Sequence, residues 1–334
     1  MPAPELSRWI RRRLDDLYRR HLPLPPASVA KYYDSRRGYY PPGRHEAPDE
    51  FAICMTLMDG TCYAAGDADV PFALQSISKV FSYGLALTDR GRDTVLGKVG
   101  VEPSGDAFHS LVFDEHANRP FNPMVNAGAL ATTELLCGDT PAATLDRILD
   151  LLRCCAGNDA LDVDTETLEA ELRGADRNRA TAYLMRADGM LSGDVEAILG
   201  LYLQQCAVHV TCRDLAVMAA TLANGAVNPV TGRRALPRNY VRDVLSVMYT
   251  CGMYDFAGEW AYSVGVPAKS GVSGGLLVVI PGKAGLGLYS PGLDRFGNSV
   301  RGTRVCQELS ERLGLHLFAT DDEDDLLNIT RPLR

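Results

Sequence analysis

The stretch Gln75-Ser76-Ile77-Ser78-Lys79 joins a polar segment, Gly66-Asp67-Ala68-Asp69, to an apolar run, Val80-Phe81-Ser82-Tyr83-Gly84-Leu85-Ala86-Leu87. A loop entering a buried helix has this texture, and it puts Ser76 near the first helical turn. Side chains three apart share a helix face, so Lys79 is expected to point back at the Ser76 hydroxyl. A desolvated lysine is easily neutralised and can take the serine proton, which makes Ser-Lys an activated nucleophile. Free N–H groups and positive dipole at a helix start suit a developing oxyanion. Taken alone, S-x-x-K more often describes a serine cap followed by a solvated lysine. The motifs further along shift that balance.

A chain of 334 residues with 46% apolar and 23% charged residues can bury a sizeable core. The net charge of −8, with no basic stripe, argues against a nucleic-acid surface. The nine cysteines form no C-x-x-C pair and no Cys/His spacing for zinc, so no metal is expected. Reduced core thiols in a cytoplasmic protein are the expectation. The charged start, Arg11-Arg12-Arg13-Leu14-Asp15-Asp16-Leu17, has no apolar region of a secretory signal, and no run is long enough to span a membrane.

Residues 5–20 read as a helix with Leu6, Ile10, Leu14 and Leu17 on one face, stopped by Leu22-Pro23-Leu24-Pro25-Pro26. Two β runs at 51–57 and 61–65 flank Met58-Asp59-Gly60 as an antiparallel hairpin. After the Ser76 helix the chain is helical for well over a hundred residues. Asn126 precedes the apolar stretch 130–136, where an N-cap is the ordinary role of an asparagine. Helices follow at 144–155, 163–173 (bearing Glu166, Glu169 and Glu171), 177–190, 195–210 (bearing Tyr202), 213–223 and 241–248. Cys251-Gly252-Met253-Tyr254-Asp255 is a tight glycine turn, and glycine-broken β runs from 267 to 288 read as strands returning to the first hairpin. A helix at 302–315 packs on that sheet, and the acidic tail follows. The expected fold is α/β of the α+β type: one antiparallel sheet built from the N- and C-terminal parts, with a large inserted helical lobe. Its divisions are an N-terminal helical extension (1–28), a catalytic domain (29–315, with the lobe at about 76–250) and a tail (316–334).

Lys269-Ser270-Gly271 opens the last β region. A K-[ST]-G strand beside an S-x-x-K helix is the pairing of active-site-serine β-lactamases and penicillin-binding proteins. The strand edge offers a backbone N–H that completes an oxyanion hole with the N–H of the serine. Seven segments then carry a closer resemblance: 72–81, Gly100-Val101-Glu102-Pro103-Ser104-Gly105, Asn122-Pro123-Met124-Val125-Asn126-Ala127-Gly128-Ala129, Ala220-Thr221-Leu222-Ala223-Asn224-Gly225, Cys251-Gly252-Met253-Tyr254-Asp255, 267–275 and Gly297-Asn298-Ser299-Val300. In their order the chain, from about residue 29 to about 315, resembles the serine-dependent glutaminases.

The resemblance implies a β-lactamase-like fold and hydrolysis of L-glutamine to L-glutamate and ammonia, with no metal or organic cofactor. It implies that Ser76 is the nucleophile, Lys79 its base, and Tyr254 a residue that shuttles a proton or holds Lys79. It places substrate contacts on Ser76, Asn126, Glu171, Asn178, Tyr202, Tyr254 and the backbone N–H of Val272. A further family tyrosine falls on Tyr32 in preference to Tyr39. Homodimers or homotetramers are common in that family.

The chemistry of free glutamine agrees. Its ammonium needs an acceptor-only group, which a buried Glu171 supplies. Amides and phenols (Asn126, Asn178, Tyr202) can hold the α-carboxylate without burying another full charge. A β-lactam- or peptide-directed hydrolase of the same fold would want an export signal and gives Glu171 no task. A non-catalytic relative would be expected to have lost Ser76, Lys79 or Tyr254, and all three stand. The six histidines lie outside the motifs, which disfavours a Ser-His-Asp enzyme.

Overall fold

The computed structural model describes residues 4–24, 49–105 and 111–319. Tyr32, Tyr39 and the acidic run 321–325 lie outside the described residues. Helix α1 (Pro4–His21) precedes a hairpin of β1 (Ala52–Leu57) and β2 (Cys62–Gly66), the short strand β3 (Phe72–Ala73), and helices α2 (Ser78–Arg90) and α3 (Arg92–Lys98). The lobe continues through α4 (Asn126–Glu134), α5 (Pro141–Ala156), α6 (Thr165–Arg173), α7 (Asp176–Ala187) and α8 (Val195–Cys206). Then come β4 (His209–Val210), α9 (Cys212–Ala223), α10 (Arg238–Cys251) and α11 (Ala257–Ser263). Strands β5 (Ala268–Ser270), β6 (Gly275–Ile280) and β7 (Ala284–Tyr289) lead to α12 (Val300–Leu313).

The five-stranded sheet has the order β2-β1-β7-β6-β5 with every pairing antiparallel. The late strands do return to the first hairpin: Cys54 of β1 sits opposite Gly287 of β7, and Thr56 opposite Gly285. Every residue of β1, β6 and β7 is buried, because helices cover both faces of the sheet. On one face α1 buries Leu6, Ile10, Leu14 and Leu17, as its spacing predicts, in one cluster with Phe51, Trp260, Val305 and Leu309. On the other face α9 lies flush on β7. A Cβ added to Gly285 would fall 2.0 Å from the Ala220 backbone nitrogen, and one on Gly287 2.4 Å from the Cys212 carbonyl. Beyond α9, helices α2, α5 and α10 complete the larger core, and α4, α7 and α8 enclose a third cluster.

Two local expectations are corrected, and two short helices were not anticipated. The apolar run expected to be helical to residue 210 leaves the helix after Cys206, and His209–Val210 pairs antiparallel with Phe72–Ala73. Leu74 N–H also donates to the Val208 carbonyl (2.8 Å), so β-branched residues favouring extended backbone here brace the chain just before Gln75. Asn126 is not the cap of α4: Val125 occupies that position, and the Asn126 side chain is used elsewhere. Helices α3 and α11, seven residues each, are too short to show a helical period in sequence.

Candidate active site

Ser76 lies on a 3-10 turn, Gln75–Ile77, and α2 begins only at Ser78, so the serine precedes the helix rather than sitting in its first turn. Two non-glycine residues of the site adopt left-handed backbone, Gln75 (φ 51°) and Tyr254 (φ 56°). Such conformations persist where surroundings over-determine them. For Tyr254 the constraint is the preceding turn, pressed against β5: a Cβ on Gly252 would lie 1.8 Å from the Ala268 carbonyl, and Ser270 N–H donates to the Gly252 carbonyl (3.2 Å). For Gln75 it is the β3–β4 brace on one side and the side-chain bond to Glu171 on the other.

The buried Tyr254 phenol donates to the Ser270 carbonyl (2.9 Å), and the neighbouring Ser76 side chain partly offsets the rise that burial imposes on its titration. Lys79 does not bond to Ser76 or Tyr254 among the described hydrogen bonds. Its Nζ instead donates to the Asn126 Oδ1 (2.7 Å) and to the Met124 carbonyl (3.2 Å), 5.8 Å from the centre of the Tyr202 ring. Burial pulls the Lys79 ammonium down to about 8. As a neutral amine, Lys79 would spend both N–H groups on Met124 and Asn126 and keep one lone pair for a proton.

A second lysine, Lys269, is fully buried 4.2 Å from the centre of the Tyr254 ring, and its Nζ donates to the same Ser270 carbonyl (2.7 Å). Burial first, then the charge of Lys79, holds it far below the usual lysine value.

Across the site, α6 and α8 deliver Glu171 and Tyr202. Both helices start on aspartates, Asp164 and Asp194, whose carboxylates accept from the Thr167 and Glu196 N–H groups. Of the three α6 glutamates, Glu166 and Glu169 are exposed and Glu171 is buried. Burial raises the Glu171 carboxyl to about 7, opposed by the amide of Gln75, whose Nε2 donates to its Oε1 (2.8 Å). Asn126 Nδ2 donates to Asn178 Oδ1 (2.9 Å), and the Tyr202 hydroxyl donates to Asn126 Oδ1 (3.4 Å). Burial keeps the Tyr202 phenol protonated well above the usual range, and Cys206, one turn further along α8, is likewise a neutral thiol.

The turn after β5 closes the site. A Cβ on Gly271 would lie 3.2 Å from the Leu74 carbonyl, so this turn abuts the serine turn, and Val272 beside it is half-buried. Neither the Ser76 nor the Val272 backbone N–H has a partner among the described residues. A neighbouring cavity of about 310 Å³ reaches Tyr254 and is lined by Pro103, Met124, Tyr249 and Ala257, but not by Ser76, Glu171, Asn178 or Tyr202. Among the described residues no three His, Cys, Asp or Glu side chains come together to hold a metal ion. All seven side chains singled out in the sequence, and the Val272 turn, therefore meet in one place. Gln75 and Lys269 join them without having been assigned a role, although both stand inside the quoted motifs.

A family model described as Glutaminase matches residues 37–318. A glutaminase of Trichormus variabilis is 53% identical over 305 residues, covering 91% of this chain and 89% of that one. The solved structure of the probable glutaminase ybaS superposes with a TM-score of 0.86 at 35% identity, covering 96% of this chain and 100% of the other. A structure of Mglu in its glutamate form gives a TM-score of 0.85 at 42% identity, covering 96% and 72%.

Proposed function

We infer, from the premise that this chain belongs to the glutaminase family, that Ser76 performs its glutamine hydrolysis through a glutamyl-enzyme. The observation that carries this reading is the meeting of the Ser76 turn with the buried Tyr254 phenol, fixed on the Ser270 carbonyl, and the buried Lys79 amine, fixed on Met124 and Asn126. Lys79 withdraws the Ser76 proton, directly or through Tyr254, as the oxygen attacks the side-chain amide carbon of L-glutamine. The free N–H groups of Ser76 and Val272 are the donors available to the oxyanion. When the C–N bond breaks, Lys79 or Tyr254 returns the proton to the nitrogen, and ammonia leaves a glutamyl ester on Ser76. Water attacks that ester, its proton taken by the same base, and L-glutamate is released.

In this reading the substrate ammonium pairs with Glu171, and the α-carboxylate takes hydrogen bonds from Asn126, Asn178 and Tyr202. The donor–acceptor chain among these three supports it, since the amide N–H groups of Asn178 donate to no described side chain. The glutamate form of Mglu supports an amino-acid pocket of this kind. No organic cofactor or metal enters the scheme. We also take the domain to run from about 29 to 315, and the protein to work in the cytoplasm as a homodimer or homotetramer. The exposed apolar side chains Leu172, Tyr183 and Leu184 on α6 and α7 support the assembly, which light scattering would test. The function itself is tested by ammonia release from L-glutamine beside L-asparagine, with Ser76→Ala as the control. Release from glutamine that the variant loses supports the scheme; release that the variant retains removes Ser76 from it.

A further inference from the structure

We propose that Gln75 is the positioning residue for the substrate ammonium: its side-chain amide anchors Glu171 in the orientation and charge state that captures the cation. The inference rests on Glu171 as the ammonium acceptor and adds the group that makes it one.

Gln75 and Glu171 come from distant parts of the chain and meet at 2.8 Å, with only 7% and 5% of their surfaces exposed. The one described hydrogen bond to this carboxylate thus comes from an amide, not from a cation. The groups facing it from α8, Tyr202 and Cys206, are held protonated by burial and by its own negative charge. The two buried lysines act elsewhere: Lys79 bonds Met124 and Asn126, and Lys269 bonds the Ser270 carbonyl. On α6 itself the other charged neighbours, Glu169 and Arg173, are exposed.

An isolated buried carboxylate would drift to its neutral acid, which binds an ammonium poorly. A neutral donor favours the charged form without filling the cation's place, as an arginine would. The amide of Gln75 also retains its carbonyl oxygen as a second acceptor for the same ammonium. Its left-handed backbone (φ 51°) is the other half of the arrangement, because it lets adjacent residues serve opposite ends of the substrate. Gln75 faces the ammonium pocket while Ser76 faces the scissile amide.

The test is the pH dependence of KM and kcat for L-glutamine in Gln75→Met, Gln75→Asn and Glu171→Gln, with thermal unfolding of each. Met keeps length without a donor. Asn tolerates left-handed backbone and is too short to reach Glu171, so it covers the case in which Met fails to fold. Without the donor the carboxyl rises further above about 7. The expected result at pH 7 is a KM raised on the order of 10-fold with kcat nearly unchanged. The defect should shrink toward pH 9, where Glu171 ionises unaided, whereas Glu171→Gln should bind poorly at every pH. Normal binding by Glu171→Gln would remove the underlying reading of Glu171. Poor binding by Glu171→Gln, together with Gln75 variants that bind normally or are equally defective at all pH values, would overturn the role of Gln75 alone.

Discussion

The contact of α9 with β7 and the pocket around Ser76 are buried to the same degree and built in opposite ways. Against β7, helix α9 presents Cys212, Leu215, Ala216, Ala219 and Ala220, and the strand answers with Gly285 and Gly287. Nothing there carries charge. Around Ser76 the same depth of burial holds Lys79, Lys269 and Glu171, two residues in left-handed backbone, and a Ser270 hydroxyl with no hydrogen-bond partner among the described residues. Groups so placed weaken a fold unless something else is gained by them. The first region is organised for stability. The second shifts the titration of its ionisable groups toward neutral pH, as the proposed catalysis requires.

The largest expected effect is on chemistry alone. Ser76→Ala should lower kcat by at least about 10⁴-fold while the melting temperature stays within a few degrees of the parent. A variant that lost its fold instead would show that the serine turn is structural.

Gly285→Ala should do the reverse. The added carbon meets helix backbone, so α9 must move, and a loss of about 3 kcal/mol in denaturant unfolding is expected. Turnover per folded molecule should be little changed.

Glu171→Gln sharpens the contrast further, because binding and stability should move in opposite directions. KM for L-glutamine should rise on the order of 100-fold, the scale of one lost charge-assisted contact. The carboxyl is raised in the fold from 4.5 to about 7, so above pH 7 the folded protein carries a charge it disfavours, at a cost of up to about 3 kcal/mol. The variant should therefore melt higher than the parent at pH 8. That advantage should fade as pH falls through 7 and vanish near 4.5.

The last expected effect is the pH profile of the parent, which needs no substitution. In the proposed scheme Lys79 acts neutral and Glu171 ionised, so kcat/KM should rise from pH 6 to pH 8 by roughly 100-fold or more. A flat profile over this range would mean that neither group titrates in the working enzyme.

Much of this contrast is legible in the sequence, for reasons that differ by element. The buried face of α1 follows from a helical period, and the closing of β7 on β1 from glycine-broken apolar runs at the two ends of the chain. The strand at His209–Val210 was hidden because an apolar run can continue a helix or become a strand, and only its distant partner β3 decides. Ser76, Lys79 and Tyr254 stand out because they sit in dense motifs. The partners of Lys79 do not, since Met124 and Asn126 reach it from a distant part of the chain. The roles of Gln75 and Lys269 depend on contacts with α6 and with the Tyr254 turn, which no local pattern encodes.

The most direct test of the central claim is rapid acid quenching of the protein during turnover of L-glutamine, followed by peptide mass analysis. One glutamyl group in ester linkage to Ser76 is expected, formed at a rate no slower than ammonia release and abolished in Ser76→Ala. Steady turnover with Ser76 unmodified, or a glutamyl group on another residue, would contradict it.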